Sequence, residues 1–351
     1  MMIAAPSARP LLSALAGDPE VAGLLSDAAQ VQAMLAFERA LADASASAGL
    51  IGEDAARAIR SAIETFEPDW PGLAEGMARD GVVVPALVGQ IRARLDPAFH
   101  AALHLGATSQ DVIDTALVLQ LAKIIAIFEA RLVALQRRFG TLSEANGSRA
   151  LMSHTRMQKA LPITVADKIR NWNEPLGRYL LALAAARQSL LVIQLGGPVG
   201  DRSSFAGKGD LVAKYLAEQL DLGLAAPWHA MRDPIVGFGS LLALISGSLG
   251  KFGADVTLMA QNEVHEITLA GGGTSSAMAH KSNPVKAEVL VTLARFNAGM
   301  AGTLQQAMVH ENERSGATWT LEWLVLPPML EATGASLRLA AELVEQVGFG
   351  A

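Results

Sequence analysis

Apolar side chains recur every three or four residues along most of this chain, and the recurrence breaks at a few polar or glycine-bearing places. Ile113, Leu117, Leu121, Ile124, Phe128, Leu132 and Leu135 share one helical face, and no proline intervenes between Asp111 and Gly140. That pattern predicts a helix on the order of 45 Å long. Two more long helices are expected from about Pro162 to Gln194 and from about Arg232 to Leu269, a fourth from near Pro284 to His310, and a fifth over roughly Trp319 to Val347. Ahead of them, Val31, Met34, Leu35 and Leu41 mark a helix capped by Ser26 or Asp27 and stopped at Gly49. Shorter pieces follow near Glu53 to Thr65 and Pro85 to Leu95, with Pro- and Gly-bearing turns between them. The chain thus divides into an N-terminal helical domain, 1–105, and a long-helix bundle, 106–351.

Two of the long segments, Leu180 to Leu195 and Ile235 to Ala260, are apolar on more than one face. The second carries Gly237, Gly239, Ser240, Gly247, Ser248 and Gly250, where backbones could approach closely. A helix apolar all round must be buried by something, so these segments are expected to pack against other subunits. Ile235 to Gly250 is too short and too rich in Gly and Ser for a membrane span, and reads as a buried helix.

Composition sharpens this picture. Of 351 residues 51% are apolar but only 5% aromatic, with Ala and Leu dominant, a mixture that favours an all-α fold of closely packed helices. A formal charge of -6 offers no basic field for a polyanion, so no nucleic-acid partner is expected. Without cysteine there is no disulfide framework, thiolate metal site or thiol nucleophile. The opening residues lack the basic start and unbroken apolar run of a signal peptide, so a cytoplasmic location, with no membrane partner, is the expectation.

Polar residues concentrate at three places, each at the mouth of a long helix. In "HLGATSQD", His104 to Asp111, Thr108 and Ser109 suit an N-cap, while the same hydroxyls, Gln110 and the free N–H groups of a helix start suit an anion site. In "SHTRMQKALPIT", His154, Thr155, Arg156, Gln158 and Lys159 crowd ahead of Pro162, a residue suited to the first turn of a helix. In "GGGTSSAMAHKSNP", three glycines read either as an ordinary turn or as the hinge of a lid. Such a lid would bring Ser275 to a substrate, with Lys281 and Asn283 gripping a carboxylate. A serine acts as a base only where cations and dipoles stabilise its oxyanion, which Lys281 and the helix after Pro284 could provide.

These segments resemble the signatures of the fumarase/aspartase superfamily: "GTSSAMAHKSNP" its G-S-S-x-M-P-x-K-x-N-P loop, "ATSQDVIDTAL" its T-S-x-D-x-x-x-T region, and "HTRMQKALP" its R-T-H-x-Q-x-A-x-P region, in the expected order. "APWHAMRD", which contains Arg232, and "GSLGKFGADV" are most similar to the lactonising branch, which acts on a carboxylated muconate. The resemblance implies an all-α homotetramer whose central helices join in one bundle, active sites shared between subunits, a small polycarboxylate substrate, and neither metal nor organic cofactor. It implies Ser275 as the catalytic serine, Lys281 beside it, and His104 close to the substrate. It further implies Thr108, Ser109, Gln110, His154, Thr155, Arg156, Gln158, Ser276, Met278, Asn283 and Arg232 as substrate-binding, with Glu288 as the acidic residue of the following helix.

Departures from the pattern carry information too. Arg156 occupies the position of the usual catalytic histidine. A lyase expelling an amine or hydroxide needs an acid there, whereas lactone opening expels a carboxylate whose conjugate acid has a pKa of about 4, so none is required. Arginine also suits a third substrate carboxylate. Ala279 replaces the signature proline, Ser282 stands where a basic residue is common, and Asn312 precedes Glu313-Arg314 where histidine is expected. After the fifth long helix little of the relatives' extra C-terminal helical domain is expected. The rival readings are a lactonase for a sulfonated muconate, an adenylosuccinate-type lyase, which should need a His at Arg156, and a catalytically idle helical scaffold.

Overall fold

The computed structural model describes residues 10–274, 278 and 282–350. The N-terminal part contains α1 (Pro10–Ala16), α2 (Pro19–Leu24), α3 (Asp27–Ser47), α4 (Glu53–Glu64), α5 (Trp70–Asp80) and α6 (Val84–Arg92). The long elements are α7 (Ser109–Asn146), α8 (Val165–Leu190), α10 (Asp233–Met259), α11 (Val285–Gln305) and α12 (Gly316–Gln346). A short α9 (Gly209–Leu220), not expected from the sequence, lies between α8 and α10. The all-α class holds. Among the described residues, strands are confined to two antiparallel pairs, β1 (Ala150–Thr155) with β2 (Gln158–Thr164), and β3 (Ile267–Leu269) with β4 (Val347–Phe349).

Helix ends differ from expectation for local reasons. Pro162 does not open α8 but lies in β2, opposite Met152. The helix starts at Val165 because Thr164 and Asp167 form a capping box: the Thr164 hydroxyl accepts from Asp167 N–H at 3.2 Å, and the Asp167 carboxylate accepts from Thr164 N–H at 3.0 Å. These bonds also hold the Asp167 carboxyl below its ordinary pKa. At 38 residues, α7 exceeds its expected span at both ends and runs about 57 Å. It ends in a tight link to β1, since the Val165 and Ala166 amides donate to the carbonyls of Arg149 and Gly147.

Two cores result. One fills the bundle of α7, α8, α10, α11 and α12 and contains Phe139, Trp172 and Phe252, whose rings meet at 4.9–6.1 Å between centroids. The other joins α3 to α6 with α9, the first turns of α7, and Trp319 of α12. The beginning of α7 therefore sits at the junction of the two cores, which fixes the place of the first polar island. By length and composition α10 could cross a membrane, yet 61% of its most apolar window is buried within the fold. Two of its glycines serve close packing inside the chain: a Cβ on Gly239 would lie 2.2 Å from Leu304 Cδ2, and one on Gly250 2.4 Å from Ala294 Cβ. Gly237 and Gly247 face open space.

Candidate active site

At the start of α7 the backbone of Thr108 is extended (φ -126°, ψ 163°), and the Asp111 carboxylate accepts from its N–H at 3.0 Å. The same buried carboxylate accepts from Gly196 N–H (2.8 Å), Gly197 N–H (2.9 Å) and the His229 Nε2 side (2.8 Å). One side chain thus stitches the helix start to the loop after α8 and to the segment before α10. The chain turns into this region through His104 (φ 60°) and Gly106 (φ 70°), both left-handed. Strain of that kind at a non-glycine residue persists only where the surroundings over-determine it.

His104 is mostly buried against α3, where its Nδ1 lies 2.6 Å from Oε1 of the fully buried Glu38 carboxylate. Burial disfavours the imidazolium, but the charge and hydrogen bond of Glu38, with Asp111 adding to them, outweigh it and raise the His104 pKa above its ordinary value. An imidazole whose protonated form is favoured in this way suits a carboxylate ligand.

Arg314, in the turn before α12, joins this cluster. Its Nε donates to Gln110 Oε1 at 2.9 Å, Nη1 to Thr108 Oγ1 at 3.3 Å and Nη2 to the Pro198 carbonyl at 3.2 Å. Thr108 and Ser109 are half-buried, whereas Gln110 is wholly buried. Gln110, expected among the substrate contacts, therefore supports the site from behind.

A second correction concerns Arg232. Its side chain is fully buried, with Nη1 and Nη2 on Asp114 (2.7 and 3.2 Å), Nε on Glu322 (2.8 Å) and the guanidinium 4.8 Å from the Trp228 ring. Trp319 Nε1 donates to the same Asp114 at 3.0 Å. Desolvation opposes the Arg232 charge, but the two carboxylates more than offset it and hold the guanidinium protonated. Fully buried and paired with two carboxylates inside the chain, Arg232 is a strut rather than a substrate contact. Its carboxylate partners are 118 and 90 residues away, and nothing in the local sequence reveals them.

The second island forms a hairpin, not a helix entrance. His154 pairs with Lys159 and Thr155 with Gln158, leaving Arg156 (φ 50°) and Met157 (φ 66°) as a two-residue turn at its tip. Such turns ordinarily take Asn-Gly. All these residues are exposed in the single chain, and His154 Nδ1 lies 3.7 Å from Glu266. In the third island, Gly273 and Asn283 exchange backbone hydrogen bonds at 2.8 Å, which closes the base of the loop. Ser275, Ser276 and Lys281 lie outside the described residues; Met278 is exposed, as is Glu288 in the first turn of α11.

Helix lengths then decide which islands can meet. The first island lies at the N-terminal end of α7 and the hairpin beyond its C-terminal end, about 57 Å away. The third island follows α10, which starts beside the first island through the Arg232–Asp114 pair and runs 27 residues, about 40 Å, away from it. Within one chain, the hydroxyl-rich start of α7 and the described residues of the other two islands stand at opposite ends of the bundle.

A lyase family model matches residues 18–297. A 3-carboxy-cis,cis-muconate cycloisomerase of Pseudomonas aeruginosa is 39% identical over 330 residues, 92% of this chain and 72% of that protein. A nitrosuccinate lyase of Streptomyces davaonensis is 34% identical, over 95% of this chain and 73% of that protein. Among solved structures, the 3-carboxy-cis,cis-muconate lactonizing enzyme from Pseudomonas putida superposes with a TM-score of 0.91 at 37% identity, covering 97% of this chain and 78% of that one.

Proposed function

We propose, from the premise that this chain belongs to the lyase family, that it is a cycloisomerase closing 3-carboxy-cis,cis-muconate to 4-carboxymuconolactone. The observation that carries the choice within the family is Arg156 at the hairpin tip, a guanidinium where an amine- or hydroxide-expelling lyase needs an acid. In the forward direction one substrate carboxylate oxygen bonds to an alkene carbon, and the adjacent carbon takes a proton. In reverse that proton is removed, and the carboxylate leaves with the C–O electron pair.

Ser275 transfers the carbon-bound proton in both directions, as microscopic reversibility requires, with Lys281 stabilising its oxyanion. The negative charge that builds up on the substrate faces Lys281 and Asn283 of the loop, His104 and the hydroxyls of Thr108 and Ser109, while Arg314 binds a carboxylate whose charge does not change in the reaction. Thr155, Arg156, Gln158 and His154 of the hairpin hold a further carboxylate, Ser276 and Met278 line the loop side, and Glu288 sets the local field at the start of α11. Ring closure needs no second molecule, so binding in a near-attack conformer supplies much of the remaining acceleration.

The site is completed by other copies of the chain in a homotetramer. Two features support this: the separation of the first island from the other two along the bundle, and the apolar Leu181 (74% exposed), Leu244 (59%) and Leu324 (69%) left uncovered on α8, α10 and α12. The direct test is loss of the muconate absorbance with purified protein. Steady turnover to the lactone is expected; no turnover, with turnover of a sulfonated muconate or an adenylosuccinate instead, would transfer the assignment to that substrate.

A further inference from the structure

Two arginines flank the start of α7 and are held in opposite ways. Arg232 lies between two carboxylates, which cancel its charge. Arg314 is held by three uncharged oxygens, those of the Gln110 amide, the Thr108 hydroxyl and the Pro198 carbonyl, and among the described residues no carboxylate lies within ion-pair distance of it. Three of its five N–H bonds are used in fixing the plane, and two remain. A neutral cradle orients a guanidinium without spending its charge.

That cradle depends on which way round the Gln110 amide lies. Nε2 of Gln110 donates to Asp114 Oδ2 at 3.1 Å and to the His229 carbonyl at 3.0 Å, and both of those groups can only accept. The reversed amide would set its oxygen against two acceptors and its NH2 against the Arg314 Nε–H, so the network admits one orientation. Asp114 is in turn immobilised by Arg232 and Trp319 Nε1. Gln110 is fully buried and reaches solvent-facing chemistry only through Arg314.

We infer that Gln110 is a positioning residue: locked by Asp114 and the His229 carbonyl, it presents its carbonyl oxygen to Arg314 and aims the uncompensated guanidinium at a substrate carboxylate. The inference rests on the reading of the α7 start as part of the substrate pocket. It assigns to the buried Arg232–Asp114–Glu322 cluster a specificity role beyond stability, because that cluster fixes the amide that fixes the anion receptor.

The experiment is a double-mutant cycle of Gln110→Met and Arg314→Met, read as KM and kcat for 3-carboxy-cis,cis-muconate, with a crystal structure of Gln110→Met. Losing a charge-assisted positioning bond should raise KM about tenfold while kcat stays within about threefold. In the Arg314→Met background the Gln110 change should add nothing, and in the crystal the guanidinium should leave Thr108 and Pro198. An equal KM increase in both backgrounds would make Gln110 an independent contact and overturn the inference, as would an Arg314 that stays in place. Should Gln110→Met fail to fold, Gln110→Asn serves in the same cycle with the same expected result, since its side chain, one methylene shorter, cannot reach Asp114 and Arg314 together. If the unaltered protein does not turn over the muconate, the proposed function falls, and the position of Arg314 in the variant crystal still decides this point.

Discussion

Replacing Asp111 by Asn changes one atom at the point where three segments meet, and its cost can be worked out from the four bonds. Oδ1 accepts from Gly196 N–H and faces His229 Nε2, while Oδ2 accepts from Gly197 N–H and Thr108 N–H. An asparagine NH2 in the second position would face two donors that cannot change. In the first position it faces one, since the imidazole can switch tautomer and accept. The variant should choose the first arrangement and orphan the Gly196 N–H, at about 1–3 kcal/mol. Loss of charge assistance on the remaining bonds and of an anion at the α7 N-terminus adds about 1 kcal/mol or more. The expected loss is about 3 kcal/mol, measured as the shift in urea midpoint at fixed protein concentration and unchanged slope. KM should rise as well, because the loop that carries Pro198 is released from Asp111. A loss below about 0.5 kcal/mol would show that these bonds do not hold the site together.

Further outcomes are expected. Because Glu38 raises the His104 pKa, substrate affinity should fall as pH rises through that elevated value; Glu38→Gln should move the fall to lower pH, and an unmoved KM–pH profile would refute the pairing. The same pair stabilises the fold fully below the unfolded histidine pKa of about 6.5 and loses that contribution as pH rises through the folded one, a pH dependence of the midpoint that Glu38→Gln should abolish. Arg156→His should depress muconate turnover, and undiminished activity would remove Arg156 from the third-carboxylate role. Met157→Gly, at φ 66°, should raise the thermal midpoint, with a gain of about 0.5–1 kcal/mol from relief of left-handed strain; a lowered midpoint would show the turn is not strained. Ser275→Ala should keep the oligomer, by light scattering, and lose turnover.

What the sequence revealed and what it hid follow one physical division. Local regularities were legible: the three- and four-residue period of Ile113 to Leu135 foretold α7, and the apolar run after Ile235 foretold a buried helix. Helix starts were legible only where the competing local signals agreed. At Pro162 the proline suggested a first turn, but the Thr164/Asp167 box just beyond it set the true start, and the residues up to Thr164 paired as a hairpin. Arg156 was legible as a chemical departure, though its place at a strained turn was not. The long-range pairs were invisible. Glu38 lies 66 residues from His104, and Arg314 lies 204 from Gln110, so no periodicity connects them. Arg232, drawn into the substrate list by its motif, proved to be a buried strut for the same reason, its two carboxylates being supplied by α7 and α12.

The sharpest test of a pocket assembled from opposite ends of different chains is complementation between variants damaged at different ends. Arg314→Met damages the α7 end and Ser275→Ala the loop end, so hybrid oligomers formed by co-expression should contain some pockets with both ends intact. Muconate turnover well above that of either variant alone is the expected result. Hybrids no more active than their parents would contradict the account, since each chain would then build its pocket by itself.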